Sequence, residues 1–264
     1  MLEIRIITNK DSWETFVLSQ PFTLFVQSWN YGEFYRQLGE DFFVLGIYDS
    51  ERLIGGSLVV TTHAKRGNFL YLPYGPMLPD KYEQEALDIL LSWLASYAKE
   101  HHYHFLRISP FLDETLSAKK LYRTAGCRNA PMHILAETTW IADIAQSESE
   151  LLSAMNKNHR NLIRRCEREG VRVTMDGGDE ALDDLNRMLD ETVKKHGFVR
   201  FSRLYIEREF HAFASEQQTA VFRSYLPDGT LDAAAIFMFY GTMTAYRHSA
   251  SYGKDKRLPT SYLL

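Results

Sequence analysis

The sequence of 264 residues predicts a mixed α/β fold made of two similar modules in tandem. In the first half, β-rich runs alternate with amphipathic helices, in an order typical of a mixed α/β or α+β layer with one sheet. The same kind of alternation starts again at about residue 145. We therefore predict one domain at residues 1–144 and a second at residues 145–264, which is incomplete at its carboxyl end.

The first strands are predicted to form an antiparallel hairpin. Two β-rich runs, at 42–48 and 52–61, are separated by the polar residues 49–51, and this pattern indicates a hairpin. A third strand at 68–72 leads into the sequence Pro73-Tyr74-Gly75-Pro76. Because two prolines restrict this segment, it can hold Tyr74 in place with little loss of entropy.

Two helices and two further strands complete the first module. Asp80, with Glu83 three residues later, is predicted to N-cap the first helix, and apolar residues then recur with the helical period. We expect this helix to pack one face on the sheet. A strand at 103–109, a helix at 116–124 that stops at Gly126, and a strand at 134–141 follow.

The second module begins with a helix that has two different faces. Ser147 and Glu150 have the spacing of a capping box. The helix that they start is predicted to place apolar side chains on one face and arginines on the opposite face. The apolar positions are Leu152, Met155, Ile163 and Cys166.

Helices and strands alternate in the rest of the chain. We predict a short strand at 171–175, helices at 180–195 and 203–215, and strands at 219–225, 231–240 and 242–250. The segment 259–264 resembles the start of another helix. The second sheet would then lack a helix and a strand that the first one has.

Composition and charge are those of an ordinary globular protein. The chain has 45% hydrophobic and 24% charged residues and a formal net charge of -4. It has no apolar run of about eighteen residues, and its first residues, which include Glu3, do not resemble a secretory signal. We therefore expect a cytoplasmic protein. Cys127 and Cys166 lack the spacing of a zinc site, so we expect neither a metal nor a disulfide framework.

The strongest local signal is a basic helix within this mildly acidic chain. Between residues 157 and 172 there are six basic residues and two acidic ones. Arg160 and Arg164 are four apart, so their guanidinium groups lie on one side of the helix, in an arrangement that suits phosphate oxygens. The alternative is a solvated helix face on which arginines are balanced by Glu167 and Glu169.

Aromatic residues form a second signal, in two places. Trp29 opens one group before the predicted hairpin, and Tyr71 and Tyr74 flank Pro73. Tyrosine and tryptophan combine a flat apolar surface with a polar tip, which suits the wall of a cleft for sugar or nucleotide rings. The alternative is that these rings belong to the core. Tyr74 is the better site candidate because it lies in the rigid segment between two prolines.

Other catalytic and cofactor motifs are absent from the sequence. There is no G-x-S-x-G elbow, P-loop or dinucleotide fingerprint. The pyrophosphate loop that acetyltransferases use for coenzyme A is also missing. Three histidines, His101, His102 and His104, lie between a helix and a strand. Side chains in a strand point alternately to opposite faces, which argues against a shared metal site.

Taken in series, the motifs resemble the FemABX family of peptidyltransferases from about residue 27 to residue 264. The matching segments are Gln27-Ser28-Trp29 with Gly32 and Gly39, the 70–76 turn, Arg160 to Arg164 with Gly170-Val171, and Ser249-Ala250-Ser251. The resemblance implies two tandem GNAT-like modules, the second incomplete here. It also implies an aminoacyltransferase that moves an amino acid from aminoacyl-tRNA to the stem peptide of a peptidoglycan precursor, as in interpeptide bridge synthesis.

The resemblance further implies the partners and the substrate-binding residues. The donor is aminoacyl-tRNA, and the acceptor is UDP-MurNAc-pentapeptide or lipid II, with a peripheral membrane contact, no DNA and no cofactor. The residues expected to face the precursor cleft are Trp29, Tyr71, Tyr74, Arg160 and Arg164. Where many family members carry arginine before the Gly-Pro pair, this chain has Tyr74, so one charged contact is lost.

The sequence departs most from the family at its end. Family members continue through a helix and a strand to a Phe-Lys pair, whose lysine stabilises the oxyanion, and this chain stops before that pair. Loss of an oxyanion donor lowers rates by roughly 10²- to 10³-fold, so a chain complete at Leu264 is expected to be a poor enzyme. We therefore assign no catalytic residue. The alternatives are a non-catalytic binder of muropeptide or RNA and a coenzyme A-dependent N-acyltransferase on the same fold.

Overall fold

The structure is a computed structural model that describes residues 1–65 and 67–264. The chain divides into two compact units. Unit 1 comprises residues 1–138 with 240–243, and unit 2 comprises residues 139–239 with 244–264. Helices occur with two mixed or antiparallel sheets, so the predicted mixed α/β fold class is confirmed. The domain limits that we predict from the sequence, 1–144 and 145–264, stay a prediction.

The sheet of unit 1 has five strands in the spatial order β1-β2-β3-β4-β5. These are β1 (Leu2–Ile7), β2 (Asp41–Asp49), β3 (Arg52–Thr62), β4 (Phe69–Tyr74) and β5 (Phe105–Pro110). Neighbouring strands are antiparallel except β4 and β5, which are parallel. Parallel neighbours need a crossover connection, and the helix between them provides it. The sequence analysis missed β1, although apolar and polar residues alternate along it.

The helices of unit 1 begin where side chains cap them. They are α1 (Lys10–Leu18), α2 (Trp29–Gln37), α3 (Glu83–Glu100) and α4 (Leu116–Thr124). Asn9, Ser28 and Thr115 each accept a backbone N–H at the start of α1, α2 and α4, as N-caps do. The predicted cap of α3 is wrong, because Asp80 begins a 3-10 turn and the α-helix starts only after Tyr82.

The core of unit 1 lies between α3 and the middle strands. Residues four apart on α3, namely Ala86, Leu90, Leu94 and Ala98, pack against buried side chains of β2, β3 and β4. Leu45, Val59 and Leu70 are completely buried there. Burying each leucine stabilises the fold by about 1.5–3 kcal/mol. The predicted packing of this helix on the sheet is therefore confirmed.

The strand predicted at 134–141 is absent. Residues 125–147, all of them described, contain neither a helix nor a strand. Side chains hold this segment instead, because Arg107 donates to the carbonyl of Met132 and Tyr74 Oη donates to the carbonyl of Ala136, at 3.2 Å. As a result β5 forms one edge of the sheet.

The sheet of unit 2 has four strands in the spatial order β6-β7-β8-β9. Two helices precede β6 in the sequence, and two more lie between β6 and β7. The strands are β6 (Arg172–Asp176), β7 (Thr219–Tyr225), β8 (Leu231–Tyr240) and β9 (Met243–Ser251). The helices are α5 (Glu148–Ala154), α6 (Lys157–Arg168), α7 (Asp179–His196) and α8 (Arg203–Ala214). Each of the corresponding predictions is confirmed to within two residues, except for the first helix.

That first helix is divided in two. The predicted capping box is present, since Ser147 and Glu150 exchange side-chain to backbone hydrogen bonds. However, α5 ends at Ala154, where Met155 turns to an extended conformation. Asn156 then N-caps α6 by accepting the N–H of Asn158 at 2.9 Å. The single long helix that we predicted is therefore wrong, and a second capping residue is the reason.

The basic helix α6 is attached to unit 2 by its apolar side. Cys166, which is completely buried, packs with Val171, Leu226 and Leu258. The segment predicted as a helix start forms a 3-10 turn at Thr260–Leu263. In the part of the chain that the structure describes, no helix combines the length and the apolar composition needed to cross a membrane.

Candidate functional site

In unit 1, a buried glutamine braces the segment that presents Tyr74. The Gln27 side chain is fully buried; its Oε1 accepts the N–H of Leu58 at 2.8 Å, and its Nε2 donates to the carbonyl of Pro73. The Gln27 carbonyl accepts Trp13 Nε1 at 2.7 Å. One amide side chain thus joins the start of α2 to β3 and to the end of β4. We call residues 73–76 the braced turn.

The braced turn holds its aromatic residue in a strained conformation. Tyr74 has a φ of 47°, in the left-handed region that bulky residues rarely adopt. The next residue must be glycine, because a Cβ at Gly75 would lie 2.7 Å from Gln27 Nε2 and closer still to Ser57. The Tyr74 ring centroid lies 5.2 Å from that of Phe111. Strain of this kind persists only where surrounding contacts impose it, and it is frequent at ligand sites.

The other two predicted aromatics of unit 1 differ in accessibility. Trp29 is half-buried at the start of α2, where its backbone N–H donates to Glu14 at 2.6 Å and its indole donates to Glu33 at 3.2 Å. Tyr71 is 1% exposed, so its ring forms part of the core. The substrate contacts that we predict for these residues stay predictions.

In unit 2, Arg160 supports the end of the preceding helix. Its Nη1 donates to the carbonyls of Ser153 at 2.7 Å and Leu152 at 3.5 Å, and to that of Met155. The last carbonyls of a helix have no partner within it, so this guanidinium completes α5. Arg160 therefore has a structural task, and the phosphate contact predicted for it stays a prediction.

Arg164, one turn further along α6, is exposed and available. No hydrogen bond or ion pair engages it within residues 1–65 and 67–264. Its neighbours differ, because Arg165 donates to the carbonyl of Arg257 at 3.4 Å and Arg168 pairs with Glu169 at 3.0 Å. Arg164 is thus the guanidinium of this row that can bind an anion without first losing a partner.

Sequence reasoning missed a buried ionic cluster in unit 2. Glu209 on α8 is 1% exposed and accepts hydrogen bonds from Arg247 at 2.9 Å and from His248 Nε2 at 2.8 Å, both on β9. Burial by itself raises the pKa of Glu209, but Arg247 and His248 outweigh it and hold that pKa below its ordinary value. The partners are almost forty residues apart in sequence, so no local pattern indicates the cluster.

Two family models match the sequence in consecutive segments. Residues 8–130 match the model described as the FemAB family. Residues 153–260 match the model described as an acetyltransferase (GNAT) domain. These matches support a transferase. No curated protein matches the chain.

Solved structures share the fold along nearly the whole chain. The crystal structure of FemX superposes with a TM-score of 0.82 at 16% identity, over 99% of this chain and 83% of that one. A conserved protein of unknown function from Bacteroides thetaiotaomicron gives a TM-score of 0.57, also at 16% identity and over 99% and 83% of the two chains. The tandem GNAT-like fold is therefore confirmed, and so is the resemblance to the FemABX family.

Proposed function

We propose that this chain, FemAB-like in its first half and built on the tandem GNAT-like fold, is an aminoacyl-tRNA-dependent transferase. It would add an amino acid to the stem peptide of a peptidoglycan precursor, as in interpeptide bridge synthesis. The acceptor would be UDP-MurNAc-pentapeptide or the lipid-linked precursor, lipid II. Both the donor and the acceptor carry phosphates, which a guanidinium binds through paired hydrogen bonds.

The observation that carries this proposal is the exposed guanidinium of Arg164 on α6, which has no hydrogen bond or ion pair among the described residues. Five basic residues occur in the twelve residues of α6, while the chain as a whole has a net charge of -4. A local reversal of charge favours a polyanionic partner. Trp29 and Tyr74, whose rings are only half-buried, are the proposed wall residues for the acceptor.

The proposed reaction is the aminolysis of an ester. The acceptor amine attacks the aminoacyl carbonyl carbon, an amide bond forms, and the ester C–O bond breaks as the tRNA leaves with its terminal hydroxyl. The protein must place the two substrates together, accept a proton from the acceptor ammonium group so that the amine can attack, and stabilise the oxyanion. The residues named above serve the first of these tasks, which is binding and orientation.

A direct assay tests the proposal. The full chain is incubated with charged tRNA and either UDP-MurNAc-pentapeptide or lipid II, and the acceptor is analysed by mass spectrometry. We expect the acceptor mass to increase by one aminoacyl residue, and only when the tRNA is charged. Binding of either acceptor without any product would instead support a non-catalytic muropeptide binder.

A second candidate is a coenzyme A-dependent N-acyltransferase. The match of residues 153–260 to an acetyltransferase domain favours it, whereas the lack of a pyrophosphate loop in the sequence argues against it. Acetyl coenzyme A supplied as the only donor separates the two candidates. An acceptor that gains an acetyl group would establish the second candidate, and the lack of any aminoacyl product with charged tRNA would then exclude the first.

A further inference from the structure

Unit 1 contains a groove that none of the predicted site residues lines. It has a volume of about 990 Å³ and lies between α3, β5, α4 and the segment that follows α4. This volume is at the upper end of the range of small-molecule sites. Leu91 and Ala95 of α3, and Leu106 and Ile108 of β5, form an apolar wall. We call it the β5 groove.

The groove runs along a strand edge that is not paired. In the spatial order of the sheet β5 is last, and its one hydrogen-bonded neighbour among the described strands is β4. No other backbone hydrogen bond reaches Phe105–Pro110 in the described part of the chain. An unpaired edge offers alternating N–H and C=O groups to another extended chain, and proteins usually cover or block such edges.

The segment after α4 does not cover this edge. Side-chain hydrogen bonds from Arg107 and Tyr74 hold the carbonyls of Met132 and Ala136. Glu137 and Thr138 line the groove, but neither belongs to a strand. The chain itself therefore forms a wall of the groove and leaves the edge of β5 open.

The charges in the groove are unevenly neutralised. Lys119 pairs with Glu114, and Glu137 pairs with His133 at 3.1 Å. Arg123 and Arg128 also line the groove, and no acidic side chain pairs with either of them within the described residues. Asp113 is the one lining carboxylate without a hydrogen bond or ion pair in that part of the chain. In total four basic and four acidic side chains line the groove, so its formal charges balance, and Arg123 and Arg128 are lining cations that a carboxylate can bind without breaking an ion pair within the described residues.

A tyrosine hydroxyl adds a further polar group. The oxygen of Tyr122 is buried and has no hydrogen-bond partner among the described residues, and Tyr122 lines the groove. Burial raises the pKa of Tyr122, so its hydroxyl keeps its proton and can donate. A buried donor without a partner is destabilising, so contact with a bound acceptor would strengthen binding.

We propose that the β5 groove binds an extended peptide with a free carboxyl terminus. The peptide backbone pairs with the outer edge of β5, and its terminal carboxylate lies at Arg123 and Arg128. The strand is six residues long, about 20 Å at 3.3 Å per residue, so the peptide contributes about six residues. The unpaired edge favours a peptide because backbone amides match its donors and acceptors, in the mode of strand addition. This site does not depend on the proposed transfer reaction.

A ligand-side comparison tests the proposal without changing the protein. An equimolar library of acetylated hexapeptides with free carboxyl termini is incubated with the full chain, and retained peptides are identified by mass spectrometry. The selected peptide is then titrated beside its carboxamide form and a form that is N-methylated at alternate amides. We expect the carboxamide to bind about tenfold more weakly, since a charged hydrogen bond is lost. One of the two possible alternating N-methylation patterns should abolish binding, because it removes the donors that face β5.

Protein variants then locate the peptide. Ala118→Trp, which points a large ring at the groove, should abolish binding, whereas Lys120→Trp on the same helix does not line the groove and should leave it unchanged. Arg128→Ala should weaken binding of the free-carboxylate peptide about tenfold and leave binding of the carboxamide nearly unchanged. Cys127 lines the groove and the other cysteine, Cys166, is buried. Bound peptide should therefore slow alkylation of Cys127.

Three results would overturn the proposal. The first is that no peptide of the library is retained at millimolar concentration. The second is equal affinity for the free-carboxylate and carboxamide forms together with unchanged alkylation of Cys127. The third comes from hydrogen exchange of the free protein, in which we expect amides of residues 134–141 to exchange rapidly. Strong protection there would show that the chain's own segment already occupies the edge of β5.

Discussion

Gln27 in unit 1 and Glu209 in unit 2 solve the same structural problem in different ways. Each side chain is at most 1% exposed and ties segments that are distant in sequence. Gln27 is neutral and needs only two backbone partners. Glu209 is charged, and burying a charge is costly unless a counter-charge and hydrogen bonds accompany it; here Arg247 supplies the charge and His248 a further hydrogen bond.

Gln27 therefore supports a backbone conformation, whereas Glu209 takes part in the balance of buried charges. The Gln27 contacts fix the backbone of the braced turn, so their loss should alter the presentation of Tyr74. The Glu209 contacts join α8 to β9 without touching a predicted substrate residue. We therefore expect the Glu209 cluster to dominate the stability of its unit and its acid sensitivity, and Gln27 to govern a candidate site.

The largest effect is expected for Glu209→Ala. This change removes the buried counter-charge of Arg247 and the hydrogen-bond acceptor of His248, and removing one partner of a buried ion pair costs about 3–5 kcal/mol. Glu207→Ala is the matched control, because its carboxylate lies on the same helix and pairs with Arg203 near the surface; it should cost about 0–1 kcal/mol. Urea unfolding followed by circular dichroism measures both. Similar losses for the two variants would show that burial of the ion pair is not what matters.

Gln27→Ala should have the next largest effect. It leaves the N–H of Leu58 and the carbonyl of Pro73 without partners in the interior, which costs about 1–3 kcal/mol for each group. Gln20→Ala serves as the control, since the Gln20 amide donates to Phe16 and Ser19, which lie close to it in sequence; it should change stability by less than about 0.5 kcal/mol. The same unfolding titration measures these variants. An unchanged urea midpoint for Gln27→Ala would show that the Gln27 hydrogen bonds do not stabilise the braced turn.

Acid should lower the stability that the Glu209 cluster provides and leave the contribution of the Gln27 hydrogen bonds unchanged. Arg247 and His248 hold the pKa of Glu209 below its ordinary value in the folded protein. A lowered folded pKa gives stability that is fully present above the unfolded pKa and is lost as the pH falls through the folded value. As the pH falls below about 5, wild type should therefore lose more stability than Glu209→Gln, whereas Gln27→Ala should follow the wild-type slope. Parallel slopes for wild type and Glu209→Gln would contradict this.

The smallest effects on stability should distinguish the two arginines of α6. Arg160→Ala removes hydrogen bonds to carbonyls at the end of α5 and should cost about 1 kcal/mol, while Arg164→Ala should change stability by less than about 0.5 kcal/mol. Acceptor affinity should show the reverse order, because Arg164→Ala should weaken binding of UDP-MurNAc-pentapeptide about tenfold. Thermal unfolding and calorimetric titration measure the two quantities. If Arg164→Ala leaves the acceptor affinity unchanged, the arginines of α6 form only a solvated helix face and do not bind the acceptor.

Elements marked by local signals were predictable from the sequence. The 116–124 helix and the strands 219–225 and 231–240 agree with the structure residue for residue. The division between α5 and α6 is also marked, because Asn156 is a preferred N-cap residue, although the apolar periodicity continues across it and favours one helix. The alternation from Leu2 to Ile7 likewise indicates β1.

Features that depend on distant contacts were not predictable in this way. The residues 134–141 have the composition of a strand, yet Tyr74 of β4 binds the carbonyl of Ala136, and Arg107 of β5 binds that of Met132 just before them. These contacts with distant residues hold the segment outside the sheet. The Glu209 cluster joins residues on α8 and β9 that no short motif connects. Likewise, the role of Arg160 depends on where α5 ends, because only a broken helix presents free carbonyls to it.

The most direct measurement of function is a competition between two donors. The full chain receives UDP-MurNAc-pentapeptide with equal concentrations of aminoacyl-tRNA and acetyl coenzyme A, and the masses of the products are determined. An aminoacyltransferase should form only the aminoacyl product, at a rate unaffected by acetyl coenzyme A and reduced about tenfold by Arg164→Ala at limiting acceptor. Formation of an acetylated acceptor, with no aminoacyl product, would contradict the proposed function.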